Sequence, residues 1–258
     1  LDVLTAVDPN LAGQLDGTDG ITLTYGKTTD KGTLAFNNER APLNDPRVRE
    51  ALRLGVDHEA IIKAIGAGNT LYGPIPPTDP GYEDLAKLVP FDPAKAKALL
   101  KEAGQEDLQL TLTIPSFYGT TVSTVLVSMY NDIGVTLKVN AVEFNTWLED
   151  VYTNKDYDLS FVLHVEARDF GNWANPEYYF NYDNPKVQQL YAEAMASTDQ
   201  AKVDALLAEA ARIVSSDNAA DWLYNAETVT ALRPGITGFP VDSINARINL
   251  ANVEVASE

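Results

Sequence analysis

Apolar residues along the chain recur in two periods, and the places where one period gives way to the other mark its elements. Leu108, Leu110, Leu112 and Ile114 alternate with Gln109, Thr111 and Thr113, the period of a strand with one buried face. Val122, Val125, Leu126, Met129, Tyr130 and Ile133 then follow a helical spacing that stops at Gly134. Val135, Leu137, Val139 and Ala141 alternate again, and Trp147, Leu148 and Val151 share the face of a short helix. Residues 159–163 form a largely apolar run that predicts a buried strand. Strand, helix, strand, helix, strand in this order predicts right-handed crossovers and a sheet covered by helices.

The same pattern extends in both directions. After an opening stretch broken by Gly13, Gly17 and Gly20, residues 21–25 and 33–37 predict two strands. Asp45-Pro46 starts a helix with Val48, Ala51 and Leu52 as its apolar stripe. The Asp side chain caps orphan amides there, and proline at the first helical position loses no hydrogen bond. Asp57 starts the next helix, with Ala60, Ile61, Ala64 and Ile65 inward, and Gly66-Ala67-Gly68-Asn69 ends it. Gly73-Pro74-Ile75-Pro76-Pro77 excludes helix and central strand, so an ordered loop is expected. Asp92-Pro93 repeats the capped start, with Ala96, Leu99, Leu100 and Ala103 inward and Gly104 at the end. Helices follow over 185–196 and 200–215, then strands at 222–224 and 228–232, and a tail of strands and turns reaching Val255.

Composition narrows the function classes. With 45% hydrophobic residues in 258, the chain is able to build a real core. A net charge of −18 argues against nucleic acid and anionic membranes, both of which need clustered Lys and Arg. The absence of cysteine removes disulfides, thiolate metal sites and cysteine nucleophiles. No apolar run is long enough to span a bilayer, and no leader stands at Leu1. The chain opens in mid-pattern at Leu1-Asp2-Val3-Leu4, from which a fragment of an exported protein is expected.

Several of these segments, taken in order, resemble the C-terminal lobe of family 5 extracellular solute-binding proteins, the peptide- and nickel-type receptors of ABC importers. The resemblance rests on Asn37, Pro42 and Asp45-Pro46-Arg47-Val48-Arg49-Glu50-Ala51-Leu52, the step Val56-Asp57-His58, the Pro-rich loop, and the helix from Phe91 to Gly104. Val142-Glu143-Phe144 with Trp147-Leu148, Tyr157-Asp158-Leu159, Asn184-Pro185-Lys186-Val187, Trp222-Leu223-Tyr224 and Gly235-Ile236-Thr237-Gly238-Phe239 complete it. Each is weak alone; their agreement in order is the signal. The resemblance implies an α/β periplasmic-binding-protein-like lobe of the class II, cluster C type, a mixed sheet flanked by helices. Residues 32–226 would form the second, ligand-binding lobe. Residues 1–31 and 227–258 would be segments of the first lobe or hinge, expected to pair with each other. It also implies an extracytoplasmic receptor, periplasmic or lipid-anchored. Such a receptor is monomeric, closes two lobes on a solute, delivers it to ABC permease subunits, inserts nothing into the membrane and uses no cofactor.

In peptide-binding members an Asp just after the Tyr-Asp-Leu strand receives the ligand's α-amino group. The departure here, Leu163-His164-Val165-Glu166-Ala167-Arg168-Asp169, makes Asp169 the first candidate and Glu166 the second, with solvation or a local pair to Arg168 as the structural alternative. An ungapped count places Ala167 at that position, so carrying the role to Asp169 needs a two-residue insertion. Phe144 and Trp147 are candidate cleft aromatics, with core packing weighed against the latter. Trp173, Tyr178, Tyr179, Phe180 and Tyr182 lack regular spacing and read equally as core or as binding surface, with Asn172 and Asn175 as polar partners. His164 ends a strand at the cleft, where it would touch ligand or, with Glu166, a metal; His58 reads as a surface residue.

An oligopeptide is the first expected ligand, with an oligosaccharide or metal chelate as alternatives within the family. A hydrolytic enzyme is the competing class. The sequence offers no Ser–His–Asp set, no phosphate loop and no metal-ligand spacing for it. Asp156 and Asp158 share a strand face and read as structural. A regulator's sensor domain would need a fused DNA-binding segment.

Overall fold

The computed structural model describes residues 2–244 and 248–256. Its first elements are β1 (Val3–Leu4), α1 (Pro9–Leu15), β2 (Thr22–Phe36), α2 (Pro46–Leu54), α3 (His58–Ile65) and α4 (Pro93–Glu102). The middle of the chain forms β3 (Gln109–Pro115), α5 (Thr121–Asp132), β4 (Thr136–Val142), α6 (Phe144–Trp147) and β5 (Leu159–His164). There follow α7 (Pro185–Met195), α8 (Gln200–Ser216), β6 (Ala220–Leu232), β7 (Ile236–Thr237) and β8 (Glu254–Val255). The predicted caps form: Asp45, Asp57 and Asp92 each accept a hydrogen bond from a first-turn amide, and Asn184 does so for α7. Asp199 does the same for α8.

Six strands make one mixed sheet in the order β1-β6-β2-β5-β3-β4. β3 is parallel to both β4 and β5, while β2 is antiparallel to β5 and to β6. Successive strand residues point to opposite faces, so each strand feeds two cores. Leu34, Phe36, Leu159 and Phe161 enter the first with Leu52, Ile61, Leu100 and Tyr130 from α2 to α5. Ala35, Val162 and Trp222 enter the second, with Trp147, Trp173, Leu190 from α7 and Val214 from α8.

Three expectations are corrected. The strands read at 21–25 and 33–37 are one 15-residue strand, and those at 222–224 and 228–232 are one 13-residue strand. The polar residues between them break the apolar pattern but not the backbone ladder, which continues through Gly26↔Thr228 and Lys31↔Asn225 with an irregularity between Lys27 and Lys31. His58 is not on the surface: it is buried, with Nε2 3.2 Å from both carboxylate oxygens of Asp221. Arg53 reaches the same carboxylate at 3.2 Å and stacks over Trp222, so three ionisable residues far apart in sequence share one buried site. A pattern that scores apolar stripes does not see a polar residue whose partner lies on a distant strand.

The two flanks are hydrogen-bonded to each other. Val3 pairs with Leu232, residues 22–27 of β2 pair with 227–232 of β6, and the Ser243 amide donates to the Lys27 carbonyl at 2.9 Å. The tail expected to reach Val255 includes residues 245–247, which lie outside the described residues.

Candidate functional site

Because β3, β4 and β5 are parallel, their C-terminal ends lie along one edge of the sheet. Ligands of α/β sheets gather at such edges, since the loops that leave the strand ends diverge and open a crevice. Here β3 runs into Phe117 and Tyr118, β4 into Phe144 and Trp147, and β5 into Val165, Glu166 and Asp169. β2 and β6 continue past this edge, since the β2–β5 ladder ends at Lys31↔His164 while β2 and β6 stay paired out to Thr22 and Leu232.

An aromatic shelf follows the edge. Phe117 is 65% exposed and its ring lies 5.9 Å from that of Phe144; Phe144 stacks on Trp147 at 5.8 Å; Tyr152 meets Trp147 and Tyr178. Tyr152 is turned outward by a π-helical turn, Leu148–Thr153, that follows α6. Trp147 is the buried anchor, donating through Nε1 to Ser160 Oγ at 2.9 Å. The Tyr118 hydroxyl accepts from the Leu163 amide at 3.0 Å, where β5 outruns β3 and would otherwise leave that donor free.

At the end of the shelf lies a compact charged group. The Lys31 ammonium is buried and has three acceptors: the Thr29 carbonyl at 3.0 Å, the Glu166 carbonyl at 3.1 Å and the Asp169 carboxylate at 3.2 Å. Burial raises the pKa of Asp169, opposed by Lys31. His164, opposite Lys31, is pushed down to about 3 by burial first and Lys31 second, so it is neutral; its Nε2 sits 2.9 Å from the Tyr179 hydroxyl. His164, Glu166 and Asp169 bring their donor atoms within 4.8 Å of one another, but the ammonium already compensates the Asp169 charge, and a dication there would meet like charge.

The candidates thus separate. Tyr178, His164, Glu166 and Asp169 come together at the edge, while Phe144 lies along the shelf against Phe117 and Trp147. Asp169 is neither solvated nor paired with Arg168, as the structural alternatives had it; Arg168 sits at φ 56° with an exposed side chain, and Lys31 from β2 is the partner. Trp173, Tyr179, Phe180 and Tyr182 are core: Trp173 is buried, stacks on Phe180 at 4.0 Å and packs edge-on against Trp222. Irregular spacing in a loop says nothing of burial when the loop folds back over a sheet face. Asn172 is half-buried beside Trp173, and Asn175 closes a turn by accepting from the Glu177 amide. Asp156 and Asp158 both bind Arg40, and Asp158 also accepts from the Thr111 amide. Sequence reasoning missed Lys31, although a lysine opening the run Lys31-Gly32-Thr33-Leu34-Ala35-Phe36 is itself a sign of a buried partner.

Comparison with known proteins points one way. The family model of bacterial extracellular solute-binding proteins, family 5 middle, matches residues 1–184. Heme-binding protein A of Haemophilus influenzae is 29% identical over 229 residues, 80% of this chain and 41% of that protein. The dipeptide-binding protein of Escherichia coli is 51% identical over 77 residues, 29% of this chain and 14% of its own. The structure of the ABC transporter-associated periplasmic binding protein DppA from Helicobacter pylori, in complex with peptide STSA, superposes with a TM-score of 0.85 at 20% identity. It covers 99% of this chain and 52% of that one. The chain therefore spans about half the length, or less, of the proteins it matches.

Proposed function

The chain belongs to the family 5 bacterial extracellular solute-binding proteins, and on that premise we propose that it supplies one wall of the ligand cleft in the substrate-binding component of an ABC importer, acting outside the cytoplasm. The ligand is an oligopeptide, enclosed when a second lobe swings over the strand ends and handed to the membrane permease without covalent chemistry. The observation that carries this reading is the crevice edge itself. Exposed Phe117, Phe144 and Tyr152 and recessed acidic groups line the C-terminal ends of three parallel strands, where the two long strands leave the body. Aromatic faces accept side chains of any sequence, and strand ends offer backbone groups to an extended peptide. The dipeptide-binding protein of Escherichia coli and the Helicobacter pylori DppA structure holding peptide STSA support the class.

Native mass spectrometry of the mature receptor containing this chain tests the proposal. A ladder of bound masses that fragment into amino acids is expected. A single porphyrin mass, or hexose spacing on the aromatic shelf, would overturn the peptide reading. The porphyrin outcome is disfavoured by His164, whose Nε2 is held by Tyr179 in the core.

A further inference from the structure

Beside the second core lies a cavity of about 170 Å³, walled by residues of the Pro-rich loop and its continuation, by the segment that follows β5, and by α7 and α8. Ile75, Phe170, Tyr191, Met195, Val203 and Leu207 give it an apolar surface. Ile75, Phe170 and Leu207 are buried members of that core, while Met195 is 55% exposed. None of Phe117, Phe144, Tyr152 and Tyr178, the aromatic residues of the crevice edge, lines it.

Interiors pack densely enough to close an apolar void of this size unless something holds its walls apart. Here three features do. The Asp79 carboxylate accepts from the Arg168 amide and ties the loop to the segment after β5. Gly81, at φ 80°, seats the loop on α8, where a Cβ would lie 2.6 Å from Leu207 Cβ. Gly171 lets α7 approach, since a Cβ there would lie 2.6 Å from the Tyr191 hydroxyl. None of these contacts needs the cavity filled. Its surface therefore forgoes dispersion contacts that an apolar guest would restore.

The charged groups on the wall restrict the guest. Asp169 is paired with Lys31 and Asp79 with a backbone amide, so neither needs a cation, and both repel an anion. Arg168 is exposed, where an ion pair is weak. We propose that this cavity is a second ligand site, separate from the crevice, for a small neutral apolar molecule. Apolar cavities of about 150 Å³ take up benzene, so the guest is a single aromatic ring or a branched chain of about six to eight non-hydrogen atoms. Met195, unbranched and exposed at the surface of the cavity, can adapt to either shape.

The test is NMR of the mature receptor labelled at the methionine ε-methyl groups and titrated with toluene, with phenylacetate and benzylamine as charged counterparts. The Met195 signal is identified by its loss in Met195→Leu. Toluene is expected to shift it saturably with a Kd of roughly a millimolar, the scale for a ligand of about seven non-hydrogen atoms. The signal of Met129, which packs against the first core, should stay in place. Val203→Phe, which puts a ring into the cavity, should abolish the shift, and Phe144→Ala, on the aromatic shelf, should leave it unchanged. Both charged probes should bind at least roughly tenfold more weakly. The absence of a saturable shift, a shift kept in Val203→Phe or lost in Phe144→Ala, or charged probes that bind as well as toluene would overturn the assignment. Should Val203→Phe not fold, nuclear Overhauser contacts between toluene and the Met195 methyl in the wild type decide in its place, and their absence would overturn it. The peptide reading stands or falls separately, on the bound masses of the crevice ligand.

Discussion

At the scale of residues, burial sets the chemistry more than residue type does. His164 is the clearest case. Its pKa falls from 6.5 to about 3 in the folded protein, so between those values the unfolded chain binds a proton that the folded one refuses. Stability contributed by neutral His164 is present above pH 6.5 and is lost as pH falls toward 3, by up to about 1.4 kcal/mol per pH unit. His164→Gln should flatten that slope in urea unfolding series run from pH 7 to pH 4; an unchanged slope would contradict the burial argument. The aromatic residues divide in the same way. Trp173→Ala empties a buried stack and should cost about 3–5 kcal/mol in chemical unfolding. Phe117→Ala, at 65% exposure, should stay within about 0.5 kcal/mol of wild type. Both are aromatics outside a helical or strand period; only their surroundings separate them.

At the scale of elements, local signals read well and long-range ones did not. The Asp-Pro and Asn-Pro starts at Asp45, Asp92 and Asn184 were legible because a cap is a contact between neighbours in sequence. The length of β2 was not, because Lys27 and Asp30 carry no strand period and are held by β6, about 200 residues away. That part of the ladder also explains Gly26. A Cβ there would lie 1.8 Å from the Val241 carbonyl oxygen, a backbone atom that has to move to make room. Gly26→Ala should therefore break the bond from the Ser243 amide to Lys27 and speed hydrogen exchange at Ser243 by at least tenfold, with α7 and α8 unaffected. Uniform exchange across all three would show that the segment near Val241 yields without cost.

At the scale of the whole molecule, two cores share one sheet. β2, β5 and β6 each send residues to both faces, so neither core survives loss of the other's strands. All three tryptophans, Trp147, Trp173 and Trp222, lie in the second core. Their fluorescence reports that core alone, while far-UV circular dichroism reports every helix and strand. The two urea transitions should coincide within error; separation by more than about 0.3 M would mean the cores unfold independently.

What the sequence determined by itself is local: the capped helices, the strand–helix–strand order from β3 to β5, and with them the sheet whose strand ends make the crevice. Periodicity, caps and glycine stops act between residues a few positions apart, so the chain states them directly. The tertiary structure alone decided which polar groups were already spent. Lys31 meets Asp169, and His58 and Arg53 meet Asp221, across separations that no period encodes. Pairing of buried charges is settled by strand register and face, which exist only once the sheet has formed.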